Sequence, residues 1–337
     1  MNISEVARRA KVSTATVSRT INKSDTVRPE TAKRVWGVIR AMGYYPNTHA
    51  RALVSGESRL IGLIISDIAN PFFPELVKSF DEMALEKGFD VFVANTGYDP
   101  ERMSTCVRRM LERNVDGVAI MTSEMDEMLI AQLEKRRIPI VFLDTGKVRD
   151  RISNIKVDYE QGFREAVEYL VHLGHKWIGF ISGPLNLRSA RVRQEAFLKW
   201  LHHFGLPSDE DLIQTGNHRI DGGEAAMERL LALPQRPTAV LSSNDLTAIG
   251  ALRAMYKAHL RVPGDISVIG FDDIDMSEFT QPALCTIRLS RAELAEKALD
   301  ALLRVIRGKS RKGHEYHVET HLVVRGSTGK CPEATRS

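Results

Sequence analysis

The sequence predicts a small all-α head joined to a two-lobed α/β body built on parallel sheets. Three observations carry this. Residues 3–22 place apolar side chains at helical spacing on both sides of a short break. From Leu60 onward, apolar strand-like runs alternate with helical stripes. About 260 residues of such alternation are too many for one open sheet, which implies two lobes with a cleft between them.

In the head, Val6, Ala7 and Ala10 form the first stripe, and Lys11-Val12-Ser13 breaks it. Val17 and Ile21 start the second stripe, with Ser13 placed to cap that helix through its hydroxyl. Two short helices around a tight turn make a helix-turn-helix. With Val17 and Ile21 turned to the core, Thr14, Ala15, Ser18 and Arg19 share the opposite face. That face is small, polar and basic, which suits a reader of the DNA major groove. A third helix spans 28–42: Pro29 suits its first turn, Ala32, Val35, Trp36, Ile39 and Met42 form its stripe, and Gly43 ends it. Trp36 is expected to clamp the small core. Residues 46–56 fit about two helical turns but have no core of their own, so this helix should order only when docked.

The body opens with Leu60–Ser66, an apolar run fit for a strand buried on both faces. Helices are expected over 72–87, 101–113, 126–136, 160–173, 189–204, 221–232, 245–257 and 290–307. Strands are expected at 89–95, 117–121, 139–143, 155–157, 177–181, 238–241, 267–270 and 315–324. Repeated βα units of this kind argue for parallel sheets covered by helices. The implied boundaries are 1–46 for the head, 47–58 for a hinge, 59–328 for the body and 329–337 for a polar tail.

Charge is unevenly spread. Residues 1–60 hold eleven Lys and Arg against four acids, a balance of +7, which leaves −3 for the rest of a chain whose total is +4. A basic head on a mildly acidic body points to phosphate contacts made by the head. Cys106, Cys285 and Cys331 are odd in number and far apart, so neither a disulfide framework nor a metal site is expected. Cys106 and Cys285 read as packed thiols. Arg8, Arg9 and Lys11 interrupt any apolar signal region, and no run approaches the roughly 20 apolar residues of a membrane span. The expectation is a cytoplasmic protein with no membrane partner.

Enzyme signatures are missing. There is no GxGxxG after a strand, no GxxxxGK, no HExxH and no GxSxG, and the ten His are scattered. Neither a cofactor nor a metal is expected. The first βα turn is instead Ser66-Asp67-Ile68-Ala69-Asn70-Pro71-Phe72-Phe73, which suits ligand binding better than phosphate binding. Ligands of parallel α/β lobes sit at the carboxyl ends of strands. The polar and aromatic residues falling there are Asn70, Phe72, Phe73, Ser123 and Asp144 in the first half, and Arg193, His218, Asn244 and Asp272 in the second. Carboxylates, amides and a guanidinium can grip vicinal hydroxyls, and aromatic faces can cover the apolar side of a sugar ring. Asp245 and Asp158 read as helix caps, Asp273 is the alternative to Asp272, and Arg191 and Arg193 are alternatively structural ion-pair residues.

The run Val12-Ser13-Thr14-Ala15-Thr16-Val17-Ser18-Arg19 with Ile21-Asn22 resembles the recognition-helix signature of the lactose/galactose-repressor family. Gly43-Tyr44-Tyr45-Pro46-Asn47, Ala50-Arg51-Ala52-Leu53 and Ile61-Gly62-Leu63 are similar to its next landmarks. The resemblance covers about residues 1–326. Lys11 departs from it, standing where the family often has Gly. The resemblance implies a periplasmic-binding-protein-like body and a homodimer on double-stranded operator DNA. It also implies a small-molecule effector, here a sugar or sugar acid, that releases the DNA. DNA contacts would come from Ser13, Thr14, Ala15, Thr16, Ser18, Arg19 and Asn22, and from Asn47, Ala50 and Leu53 in the hinge. Leu53 would wedge between base pairs from the minor groove. The effector pocket would fall at the strand-end residues above, with Arg193 and Asp272 the best matched. An effector that strengthens DNA binding, a ligand-binding protein without DNA function, and an enzyme on a doubly wound fold are the competing readings. The tail lacks leucine heptads, so dimerisation is expected to run through the lobes.

Overall fold

The structure, a computed structural model, describes residues 2–21, 26–44, 57–122 and 125–332. The chain divides into two units, Met1–Arg59 and Leu60–Ser337.

The first unit contains α1 (Ile3–Ala10), α2 (Thr14–Ile21) and α3 (Pro29–Met42). Asn2 caps α1 by accepting from the Glu5 amide at 3.0 Å. Lys11 ends α1 with φ 54° and ψ 48°, a left-handed conformation that costs a non-glycine residue about 1 kcal/mol. The strain buys the sharp turn that swings α2 across α1. Ser13 caps α2, its Oγ accepting from the Thr16 amide at 3.1 Å. Val6, Ala7, Ala10, Val17, Val35, Ile39 and Met42 form the core, with Trp36 half-buried against it.

The second unit alternates strand and helix. Its first half runs β1 (Leu60–Ile65), α4 (Phe72–Glu86), β2 (Asp90–Asn95), α5 (Pro100–Glu112), β3 (Gly117–Met121), α6 (Glu127–Lys135), β4 (Ile140–Leu143) and β5 (Ile152–Asp158). Then come α7 (Tyr159–His172), β6 (Ile178–Ser182), α8 (Arg188–His203), β7 (Ile213–Thr215), α9 (Ile220–Leu231), β8 (Ala239–Ser242) and α10 (Asp245–Lys257). The chain ends with β9 (Ser267–Asp272), α11 (Met276–Phe279), β10 (Cys285–Leu289), α12 (Arg291–Ile306) and β11 (Glu315–Val323). The strand order is β2-β1-β3-β4-β5-β11-β10-β9-β8-β6-β7. Every pairing is parallel except that of β10 with β11.

That exception joins the lobes. Glu315–Glu319 of β11 pair in parallel with β5, and Thr320–Val323 pair antiparallel with β10. One strand therefore completes the sheet of β1–β5 and the sheet of β6–β10 in turn. Both faces of these sheets are covered by helices, so β1, β3, β6 and β9 are buried along almost their whole length.

Four short elements depart from the sequence expectations: a 3₁₀ turn at Glu210–Leu212, β7, α11 and β10. They span three to five residues each, too short for apolar periodicity to register. The segment read as a polar tail from 329 is partly built in. Ser327 Oγ donates to the Val268 carbonyl at 2.6 Å and accepts from the Cys285 amide at 2.7 Å. The Gly329 amide donates to Ser267 Oγ at 3.1 Å and the Cys331 amide to the Leu173 carbonyl at 2.8 Å. Cys106 and Cys285 are buried free thiols. Among the described residues no helix is long and apolar enough to cross a membrane, and no cluster of metal-ligating side chains occurs.

Candidate functional site

A cavity of about 340 Å³ lies between the two halves of the second unit, large enough for a small metabolite. Its walls are carboxyl ends of strands and the turns after them, as parallel α/β topology requires. Eight of the nine sequence candidates line it: Asn70, Phe72, Phe73, Asp144, Arg193, His218, Asn244 and Asp272. The ninth, Ser123, lies outside the described residues; its neighbour Thr122 is in the wall.

Asp272 ends β9 and is buried, with φ 110°. Arg193, in the second turn of α8, reaches it with Nη2 at 3.2 Å from Oδ1. The guanidinium also lies 3.9 Å from the ring centre of Phe271 and 5.5 Å from that of Tyr159, and its Nη1 donates to the Ser243 carbonyl. Burial pushes the Asp272 carboxyl up to about 6, against the pull of Arg193 and Arg291. The pair is the strongest polar feature of the cavity, yet Arg193 Nε is buried and has no hydrogen-bond partner among the described residues.

On the opposite wall, Asp144 follows β4 with φ 61°. It accepts from the Val157 amide at 2.7 Å and from the Tyr159 hydroxyl at 2.6 Å. Burial raises its pKa, and the Tyr159 hydrogen bond opposes that. Asn70 is held in the first βα turn by accepting from the Phe72 amide at 3.1 Å. Phe72 and Phe73 meet edge to face, ring centres 5.4 Å apart, and present an apolar wall.

His218 is buried beside Arg193, and burial first, then that cation, lowers its pKa to about 3. It is a neutral imidazole at pH 7. Its Nε2 lies 2.6 Å from Ser243 Oγ, and Asn244 Nδ2 donates to its carbonyl at 3.0 Å. Gly183 makes room for it: a Cβ there would stand 1.9 Å from His218 Nε2.

Three secondary readings are corrected or decided by these contacts. Asn244, not Asp245, caps α10, accepting from the Thr247 amide at 2.9 Å. Asp245 is buried and ties the β9–α11 loop, accepting from the Ile274 amide at 2.9 Å, Ser277 Oγ at 2.8 Å and Thr286 Oγ1 at 2.5 Å. Its first-turn position suggested a cap, but the loop that β9 folds over it was invisible in sequence. Asp273 pairs with Arg288 at 2.6 Å and Arg325 at 2.7 Å and does not line the cavity. Arg191 binds the carbonyls of Leu185 and Asn186, a structural role. Asp158 does cap its helix, accepting from the Gln161 amide at 3.1 Å.

Sequence reasoning missed Tyr98, Asn154, Tyr159 and Arg188, which also line the cavity. Tyr159 was legible as the residue after a capping Asp at a strand end. Asn154 was not, because it lies within β5 rather than at its end.

Two polar bridges span the halves. Arg219, before α9, lies 3.2 Å from Asp67 in the first βα turn. Glu75 of α4 accepts from the Asp275 amide at 3.1 Å and pairs with Arg291 at 2.8 Å. Arg291 in turn donates to the Asp272 carbonyl at 2.8 Å, linking the second bridge to the cavity.

In the first unit, Ser13, Thr14, Ala15 and Arg19 are exposed, and Thr16 and Ser18 half-buried. Thr16 Oγ1 lies 2.9 Å from Ser13 Oγ. Thr20, not Ile21, joins Val17 as a buried residue of α2, its hydroxyl satisfied by the Thr16 carbonyl at 2.9 Å. Asn22, Asn47, Ala50 and Leu53 lie outside the described residues.

A helix-turn-helix head on a two-lobed body with an enclosed polar cavity defines a ligand-responsive transcriptional regulator. Known proteins carry the identification to the family. Residues 2–47 match the model of bacterial regulatory proteins of the lacI family, and residues 167–328 match the periplasmic binding protein-like domain. The chain is 36% identical over 327 residues to the HTH-type transcriptional repressor PurR of Actinobacillus pleuropneumoniae serotype 3 (strain JL03), covering 96% of this chain and 97% of that one. It is 34% identical over 333 residues to the PurR repressor of Escherichia coli O139:H28, covering 98% and 97%. The structure of the lac repressor dimer bound to operator and the anti-inducer ONPF superposes with a TM-score of 0.86 at 31% identity, covering 98% of this chain and 99% of that one. A complex of the regulator CelR with cellobiose superposes at 0.71 and 28% identity, covering 97% and 99%. The chain belongs to the lacI family and is a ligand-binding transcriptional repressor. Its relatives are repressors rather than enzymes.

Proposed function

We propose that this repressor holds operator DNA as a homodimer and releases it when a sugar or sugar acid fills the cavity. The observation that carries the ligand class is the buried Arg193–Asp272 pair facing Asp144, Asn70 and Asn244 across a cavity with one aromatic wall. Vicinal hydroxyls satisfy fixed carboxylates and a guanidinium together, and the Phe72–Phe73 wall covers the apolar face of a ring. Cellobiose and ribose are the ligands named for two solved relatives. Thr14, Ala15 and Arg19 are the base-reading residues of the head, Ser13, Thr16, Ser18 and Asn22 support them, and Asn47, Ala50 and Leu53 contact DNA from the hinge. Such a protein works in the cytoplasm.

The mechanism follows from population shift. A ligand moves an equilibrium only by binding one lobe arrangement more tightly than the other. The two bridges between the halves and the shared strand β11 are the elements whose geometry changes with that arrangement. The test is a gel shift on an operator recovered by binding-site selection, with pentoses, hexoses, hexuronates and nucleobases added singly. A sugar or sugar acid that weakens binding supports the reading. A nucleobase that strengthens binding overturns it in favour of corepression.

A further inference from the structure

Strands β1, β3, β4, β5 and the first half of β11 are parallel neighbours, so their starting ends line one edge of the sheet. Backbone bonds tie those ends side by side. The Asp116 amide donates to the Leu60 carbonyl at 2.8 Å, Ile140 to Arg151 at 2.9 Å and Arg151 to Arg311 at 2.7 Å.

The segments that feed this edge are strongly basic. Residues 113–116, 134–137, 149–151 and 304–312 hold eleven Lys and Arg against three acids, a balance of +8 in a chain whose total is +4. Ten of the eleven are exposed and Arg151 is half-buried. Among the described residues only Arg149 of this set forms an ion pair, with Glu134 at 2.7 Å. Such a concentration of unpaired like charge destabilises the compact state by self-repulsion unless a polyanion relieves it.

Leu60 opens the body at this same edge. The head is tethered there: the sixteen residues from Tyr44 to Leu60 reach at most about 58 Å even when fully extended. DNA held by the head is therefore within reach of the edge. From β3 to β11 the edge is about 14 Å wide at the usual strand spacing. A duplex carries about eight phosphate charges over that length, which matches the edge in sign and density.

We propose that this basic edge is a second DNA-contact surface, holding phosphates of duplex that flanks the operator beyond the base pairs read by the head. The proposal rests on the operator-binding reading above. Its contacts are electrostatic and independent of sequence, so they add affinity and salt dependence but no specificity.

The test compares full-length protein with a variant carrying Arg137→Gln, Arg311→Gln and Lys312→Gln. Two duplexes are used: the selected operator alone, and the same operator extended by two helical turns on each side. Each phosphate contact contributes about 0.9 to the slope of log K against log salt, so three lost contacts remove about 2.7. The expected result is a steeper slope for the parent on the long duplex than on the short one. The variant loses that excess, while its binding to the short duplex is unchanged. A second variant, Arg304→Gln with Arg307→Gln and Lys309→Gln, is expected to act in the same direction. Equal slopes for parent and variants on the long duplex overturn the proposal, and are what an edge reserved for an acidic protein would give. Equal losses on both duplexes assign the effect to the head and overturn it as well.

Discussion

At the scale of single residues, the cavity is governed by what burial does to charge. Arg193 and Asp272 compensate each other, so removing one leaves the other as an uncompensated buried charge. Arg193→Ala is expected to weaken binding of the inducing sugar by about 10- to 100-fold, from the roughly 1–3 kcal/mol of an unsatisfied buried partner. Operator binding should persist; calorimetry and a gel shift together check both. His218 and Asp272 respond to pH in opposite senses. The imidazole pKa is depressed to about 3 from its ordinary 6.5. Its contribution is thus present above pH 6.5 and lost as pH falls toward 3, at about 1.4 kcal/mol per pH unit. The Asp272 carboxyl is raised from 3.8 to about 6, so its contribution is present below 3.8 and lost as pH rises through 6. His218→Gln should therefore flatten the loss of stability on acidification between pH 6.5 and 4, and Asp272→Asn should steepen it. Urea unfolding across that range reads both, and shifts of the same sign in the two variants would contradict these environments.

At the scale of elements, the C-terminal segment matters more than its composition suggests. Ser327, Gly329 and Cys331 bond to β9, to the residue opening β10 and to the end of α7. Each such bond contributes about 0.5–1.5 kcal/mol. Truncation after Arg325 should therefore lower the melting temperature clearly, whereas truncation after Pro332 should leave it unchanged. Thermal unfolding of the two truncations decides this, and light scattering should show the same oligomeric state for the parent and the shorter deletion. Much of the element pattern was legible because strands buried on both faces read as apolar runs. Leu60–Ile65 and Gly117–Met121 were found within a residue or two. β7 and β10 escaped because short strands carry no period of their own and exist only by pairing with neighbours.

At the scale of the body, the two halves are joined by β11 and held together by the Asp67–Arg219 and Glu75–Asp275–Arg291 bridges. The bridges are unequal. The Arg219 side chain is 64% exposed, whereas those of Glu75 and Arg291 are 21% and 17% exposed. An exposed pair contributes about 0.2–1 kcal/mol. Arg219→Ala should therefore weaken effector binding by no more than about fivefold. Glu75→Ala, which also strips a partner from Arg291 behind Asp272, should weaken it more and speed ligand release. Stopped-flow dissociation of the inducing sugar checks the order, and a larger effect at Arg219 would refute it.

The sequence by itself determined the helix-turn-helix, the alternation of strand and helix, and the strand-end residues, because these follow from local periodicity and from where parallel strands must end. Asn70, Asp144, Arg193 and Asp272 could be named before any coordinates for that reason. Only the tertiary structure decided which of them meet. Arg193 and Asp272 are 79 positions apart in the chain and 3.2 Å apart in space. Likewise, Asp245 is a buried anchor rather than a cap because a loop 29 to 41 positions later folds over it. Nor does any local pattern show that one strand serves two sheets, or that four separate basic segments line a single edge. Those facts are set by long-range pairing, whose energy depends on neighbours brought together by the whole fold.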